Sequence, residues 1–357
     1  MKIAQIAPLC ERVPPTAYGG TEMIVSLLTE ELVRRGHEVT LFASGDSQTS
    51  AHLESSCPRS LRQASPEEIT VYQSLQLNRV FSQAAEFDLI HSHVGEVAFP
   101  YANLVKTPTL HTVHIIRPHL EPLWLDAREQ NFISISESQR RKDLQLNYAA
   151  TVYNGIDTSR YPFRIQPDNP PYLAFLGRMS PEKGPHLAIE IAKRTGWHLK
   201  IAGKIDPVDR EFFAREIEPF IDGKQIEFLG ELNHQQKCPL MGGAVATLFP
   251  ITWQEPFGLV MAESMAVGTP VIAMALGSTP EVIEDGKTGF LGHSVEECIA
   301  ALDRIQEIDR VACRDRVVAK FSVRRMVDDY EAVYQKLAKN LNNHHRPHLV
   351  DRHSLTA

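Results

Sequence analysis

Two carboxylates with seven residues between them frame the segment Glu255-Pro256-Phe257-Gly258-Leu259-Val260-Met261-Ala262-Glu263. A carboxylate accepts from both hydroxyls of a vicinal diol, so one Glu can hold a ribose and the other a hexose. The same pairing would suit the acid and base of a glycosidase, and a helix cap or surface ion pair would also explain Glu263. Upstream, Arg178 ends an apolar run and Lys183 lies near a helix start in Ser180-Pro181-Glu182-Lys183-Gly184. A planar guanidinium and a point-charge ammonium on one cleft edge suit a departing diphosphate, unless both are simply solvated. A third candidate, Tyr18-Gly19-Gly20-Thr21, joins the first strand region to a helix. Adjacent glycines let backbone N–H groups approach an anion, and the helix start adds partial positive charge. The alternative is an ordinary turn.

Histidines form a fourth group, His91 and His93 at one strand end and His111 and His114 at the next. Imidazole is a common metal ligand, but no Asp or Glu of ligand spacing accompanies these four, and no metal site is expected. Strand alternation puts His91 and His93 on one face, with His91 buried in the sheet and His114 beside a sugar hydroxyl at the cleft. The terminal histidines His344, His345, His348 and His353 lie in a polar stretch read as a solvated end.

Positioning these groups falls to short apolar, β-branched runs separated by helical patterns, the signature of βα units around parallel sheets. Strands are expected at 2–7, 37–43, 87–92, 109–113, 132–135 and 151–153, then at 172–176, 198–202, 225–229, 244–249 and 270–273. The four prolines of 157–171 mark a linker. The expected organisation is an N-terminal Rossmann-like domain over 1–160, a second over 161–320, a helix at 321–340 and a mobile tail at 341–357. In the first helix Ile24, Leu27, Leu28 and Leu32 share one apolar face, with Glu30, Glu31, Arg34 and Arg35 on the wet side. The last helix aligns Met326, Tyr330, Val333, Tyr334 and Leu337. Two facing α/β domains create a cleft at the carboxyl ends of both sheets.

Composition narrows the function classes. The chain has 357 residues, 43% hydrophobic and 23% charged, with a net charge of -7, so disorder, collagen and coiled coil are excluded. A phosphate-tracking nucleic-acid binder would show a basic excess. Residues 1–160 hold 14 Lys+Arg against 18 Asp+Glu, which does not encode electrostatic docking on anionic lipid. Five cysteines without a CxxC pair encode neither a disulfide framework nor a zinc site and fit a reducing cytoplasm. The least polar stretch, 264–277, is too short to span a bilayer, so membrane contact is expected to be peripheral at most. No GxGxxG follows the first strand and no GxxxxGK[ST] occurs, which argues against a nicotinamide dehydrogenase and a P-loop NTPase.

The order Tyr18-Gly19-Gly20-Thr21-Glu22, Leu89-Ile90-His91-Ser92-His93, Thr112-Val113-His114, Val152-Tyr153-Asn154-Gly155-Ile156-Asp157, Gly177-Arg178 with Glu182-Lys183-Gly184, the Glu255–Glu263 block and Pro280-Glu281-Val282-Ile283-Glu284-Asp285-Gly286-Lys287-Thr288-Gly289-Phe290 resembles the retaining group 1 (family 4) glycosyltransferases of the GT-B fold. The resemblance implies two Rossmann-like domains, the second holding most of a nucleotide-sugar and the first most of the acceptor, with the final helix crossing back to the first domain. Arg178 and Lys183 would bind the diphosphate and Glu263 the ribose. Glu255, with the backbone of Phe257, Gly258 and Leu259, would hold the hexose. Gly19 and Gly20 would meet the phosphates from the opposite domain, and His114 would flank the transferred sugar. Ser278 departs from the pattern, since many relatives carry a second Gly there. The implied reaction moves a hexose with retention onto a carbohydrate, lipid-linked or small-molecule acceptor. No cofactor or metal is expected, in keeping with the absence of an Asp-x-Asp motif. A nucleotide-sugar epimerase and a non-catalytic nucleotide-sugar sensor are the rival readings.

Overall fold

The computed structural model describes residues 1–16 and 19–344, so Tyr18 and the histidines from 345 onward fall outside the described residues. The first sheet contains β1 (Lys2–Ile6), β2 (Glu38–Ala43), β3 (His52–Ser55), β4 (Leu89–Ser92), β5 (Thr109–Val113), β6 (Asn131–Ser134) and β7 (Tyr148–Thr151) in the order β3-β2-β1-β4-β5-β6-β7. The second contains β8 (Leu173–Leu176), β9 (Leu199–Ala202), β10 (Ile226–Phe228), β11 (Ala246–Phe249), β12 (Val271–Met274) and β13 (Gly289–Gly292) in the order β10-β9-β8-β11-β12-β13. All named pairings are parallel. In both sheets the strand order reverses beside the first strand, at β1/β4 and at β8/β11, and that switch is where open α/β sheets leave a ligand crevice.

Central strands were legible because they are buried on both faces and read as continuous apolar runs. β3 and β13 were missed. The former, His-Leu-Glu-Ser, is a half-exposed edge strand without an apolar run, and the latter, Gly-Phe-Leu-Gly, begins and ends in glycine. β7 lies three residues earlier than the predicted strand at 151–153, although Val152 N–H still donates to the Ser134 carbonyl at 2.9 Å.

The last helix, Val323–His344, runs beyond the predicted end at 340 and packs on the first sheet. Met326, Tyr330, Val333, Tyr334 and Leu337 are all buried, in one cluster with Ile3, Ile24, Leu28, Leu89 and Leu110. Each such burial is worth about 2 kcal/mol. The wet-side assignment of Glu31 and Arg35 needs correction. Arg35 bonds Glu31 at 2.8 Å, Asp328 at 2.7 Å and Glu331 at 2.5 Å, and His37 reaches Glu331 at 2.7 Å. These charges join the helix Gly20–Arg34 to the crossing helix.

The turn into that helix docks on the segment after β7. Ile156 N–H donates to the Phe321 carbonyl, Val323 N–H to the Ile156 carbonyl and Gly155 N–H to the Met326 sulfur. A Cβ on Gly155 would lie 2.7 Å from the Ser322 carbonyl oxygen and 2.9 Å from the Met326 Cβ. Gly155→Ala is therefore expected to cost about 1–3 kcal/mol through overpacking, lowering the urea midpoint. An unchanged midpoint would show that the helix shifts freely.

Candidate active site

Ten residues singled out in the sequence, Gly19, Gly20, His114, Arg178, Lys183, Glu255, Phe257, Gly258, Leu259 and Glu263, all line one cavity of about 800 Å³ between the two sheets. Topology brings them together. Gly19 and Gly20 follow β1, His114 follows β5, Arg178 follows β8, and Glu255 follows β11, all at strand carboxyl ends.

On the second lobe the cations are held by carboxylates. Lys183 occupies a 3-10 turn, Pro181–Lys183, that precedes rather than begins the helix Pro185–Thr195. Its Nζ lies 2.5 Å from Glu255 Oε2, which also accepts from Trp253 Nε1–H at 3.0 Å, and 4.8 Å from the Trp253 ring centroid. Arg178 pairs with Glu182 and faces Asp209 at 3.3 Å. Bonds on several sides hold the guanidinium fork at the cleft edge.

Glu255 is buried in the loop after β11. That loop is braced by Gly277 and Ser278. Gly277 has φ +59°, and a Cβ there would strike the Glu255 backbone. Ser278 N–H donates to the Glu255 carbonyl and its hydroxyl to the Phe257 carbonyl, both at 2.9 Å. The serine that departs from the family pattern thus supports the loop. Gly258 precedes the helix Leu259–Ala266, whose first turn has no side-chain cap, so its amides can serve a polar ligand. Glu263 sits inside that helix, accepting from Tyr161 Oη–H at 2.8 Å and from Lys237 Nζ at 2.5 Å.

The first lobe contributes the uncapped start of the helix Gly20–Arg34. A Cβ on Gly20 would touch Leu259 of the opposite lobe at 3.4 Å, so the two helix starts face one space. Glu22, in the first turn, is buried and lines the cavity, and burial raises its carboxyl above the usual range. His91, His93 and His114 converge, with ring centroids 4.1 Å apart for the first pair and 5.3 Å for the second. His111 stands apart against Phe99 and Phe132. Among the described residues no group of three His, Cys, Asp or Glu side chains could hold a metal ion.

Tyr161, Lys237, Trp253 and Arg62 also line the cavity, and sequence reasoning missed them. Lys237 belongs to the helix His234–Gly243, which has no phosphate-type motif, and Tyr161 to the presumed linker. Only Glu22 had a signal, its place next to Gly-Gly-Thr.

Two doubly wound sheets with cavity-lining loops facing one cleft define a GT-B glycosyltransferase fold. The profile described as "Glycosyl transferases group 1" matches residues 158–314, and that described as "Glycosyltransferase Family 4" matches 18–160. The chain belongs to the group 1, family 4 glycosyltransferases. The α-maltose-1-phosphate synthase of Mycolicibacterium smegmatis is 26% identical, the match covering 94% of this chain and 100% of that protein. Among solved structures, sucrose-phosphate synthase from Thermosynechococcus elongatus aligns with a TM-score of 0.78 at 20% identity, covering 95% of this chain and 100% of that one. Anabaena HepE, in complex with UDP and glucose, aligns at 0.69 and 19% identity, covering 96% of this chain and 99% of that one. Among the described residues no helix is long and apolar enough to cross a membrane.

The histidines also couple the site to acid stability. Burial pushes His114 down to about 4 and His111 to about 3, and holds His91 and His93 well below the usual imidazole range. Above about pH 6.5 the native and unfolded chains are both neutral here. Below it the unfolded chain takes up protons that the native state refuses, so stability falls by up to about 1.4 kcal/mol per pH unit for each histidine. The urea midpoint should be lower at pH 5 than at pH 7.5. Equal midpoints would mean that these imidazoles titrate normally in the fold.

Proposed function

We propose that this protein transfers a hexosyl group from a nucleoside-diphosphate sugar to an acceptor hydroxyl with retention at the anomeric carbon, using no divalent metal. One observation carries the reading: Arg178, Lys183 and the open helix starts at Gly20 and Leu259 border the same cavity as the diol-sized carboxylates Glu255 and Glu263. Cations and helix dipoles suit the diphosphate, and the carboxylates suit the ribose and hexose. The UDP and glucose bound to Anabaena HepE support the donor class, and the maltose-1-phosphate synthase relative supports a carbohydrate acceptor.

In a front-face displacement the acceptor oxygen bonds to C1 as the bond from C1 to the phosphate oxygen breaks. The departing phosphate takes the acceptor's proton. The protein's task is orientation and stabilisation of the leaving charge. Glu255 and Trp253 hold the Lys183 ammonium beside the cavity, and an ammonium has three donors, so it can keep its carboxylate while meeting a phosphate oxygen. Arg178 adds a planar fork from the same connection after β8. With fixed cations in place, charge neutralisation does not require a metal.

Lys183→Ala is expected to lower turnover at least about a hundredfold with circular dichroism unchanged, and a rate near wild type would remove Lys183 from the diphosphate site. Activity should survive chelation, whereas loss restored by magnesium would overturn metal independence. From an α-linked donor, proton NMR should show an α-linked product, and a β-linked one would reject retention. Conversion of donor alone without acceptor would favour the epimerase.

A further inference from the structure

We propose that His93 is a positioning residue that fixes which nitrogen of His114 carries the proton, and that the crossing helix sets this choice through Tyr334 and Gln5. The consequence for the ligand rests on the glycosyl-transfer reading above.

Gln5 Nε2 donates to Tyr334 Oη at 3.3 Å, which leaves Gln5 Oε1 as the acceptor lying 3.1 Å from His93 Nε2. His93 Nε2 is therefore the protonated nitrogen. A neutral imidazole has one donor and one acceptor, so His93 Nδ1 is a lone pair. Its partner at 3.0 Å, His114 Nε2, must bring the hydrogen. His114 Nδ1 is then an acceptor, and among the described residues it makes no hydrogen bond, although His114 lines the cavity. The remainder of the run agrees. Having accepted from Gln5, Tyr334 gives its own proton to His91 Nδ1 at 2.7 Å, so His91 donates from Nε2 to Thr112 Oγ1 at 2.7 Å, which lies 2.9 Å from Tyr330 Oη. Gln5, His91, His93, Thr112, Tyr330 and Tyr334 are all buried. Burial keeps the imidazoles neutral, as the one-donor, one-acceptor count requires.

A lone pair facing the cavity recognises a group that donates. His114 thus selects a sugar hydroxyl acting as donor, and a donor sugar lacking that hydroxyl leaves the nitrogen without a partner. His93 does this without touching the sugar.

The test uses the full-length protein labelled with ¹⁵N-histidine. Long-range proton–nitrogen spectra should show His114 protonated at Nε2 and bare at Nδ1. The opposite pattern, in which every bond of the run is reversed, overturns the proposal. His93→Leu should remove this preference and lower kcat at least about tenfold, with the KM for UDP-glucose or whichever nucleotide-hexose proves active changed much less. His93→Asn, whose Oδ1 can accept the His114 N–H, should recover most of the loss. Equal losses in both variants with an unaltered His114 spectrum would reject the positioning role. If the leucine variant does not fold, the wild-type spectrum and the asparagine variant still decide. A correct spectrum in a protein that transfers no sugar from any nucleotide donor would refute the function proposed above and leave the proton assignment standing.

Discussion

The burial of one helix against the opposite lobe is the constraint on which the cleft depends. The helix Val323–His344 follows the second sheet in sequence yet completes the core of the first, with Tyr330 and Tyr334 fully buried beside the β1, β4 and β5 side chains. Its apolar face cannot be satisfied by its own lobe, so the chain is pulled across the cleft and the two carboxyl edges are kept face to face. The ion pairs of Arg35 with Asp328 and Glu331 fix its rotation. The close approach at Gly155 fixes the point at which it crosses.

Electrostatics then shapes the cleft. A cation facing a cavity in an otherwise apolar lobe needs a counter-charge to stay charged and ordered before any ligand arrives. Glu255 serves Lys183 and Glu263 serves Lys237 at 2.5 Å each, while Arg178 is braced by Glu182 and Asp209. Glu255 and Glu263 hold ammonium groups, and in the proposed function their remaining lone pairs would have a second use, accepting from sugar hydroxyls. This double use explains why an ordinary ion-pair reading and a ligand-binding reading of the same glutamates could not be separated from spacing alone.

Much of the fold could be read from sequence because buried parallel strands leave continuous apolar runs and helices leave a 3.6-residue stripe. Met326, Tyr330, Val333, Tyr334 and Leu337 were aligned correctly, and the Gly19-Gly20 turn, Arg178, Lys183 and Glu255 were recognisable as groups in loops after strands, with Glu263 in the helix that follows Glu255. Among the edge strands β10 left a readable run at 225–229, whereas β3 is partly exposed without an apolar run and β13 begins and ends in glycine. Arg35 looks solvated on a helical wheel and is half-enclosed only because a helix almost three hundred residues later lies on it. Lys237 and Tyr161 escaped notice for the same reason, since each matters through a partner distant in sequence, Glu263. The histidine run is the extreme case. Types and alternation placed His91 and His93 on one face, but the direction of each hydrogen bond depends on Gln5 and Tyr334, residues with no motif of their own.

A second attachment between the lobes completes the frame. The Glu281 carboxylate, from the second lobe, accepts from the backbone N–H groups of Glu137 and Ser138 at 2.7 Å each and from Tyr153 Oη–H at 2.8 Å. A carboxylate satisfied by two fixed amides and a hydroxyl is a strong, directional tie, and Tyr153 stacks edge-on with Phe321 at the start of the crossing. The hinge side of the cleft is thereby held at the Gly155–Met326 contact and at Glu281, by groups packed against one another. Glu255, Lys183 and His114 are each held by partners within their own lobe, so a change in the separation of the lobes would leave those bonds intact.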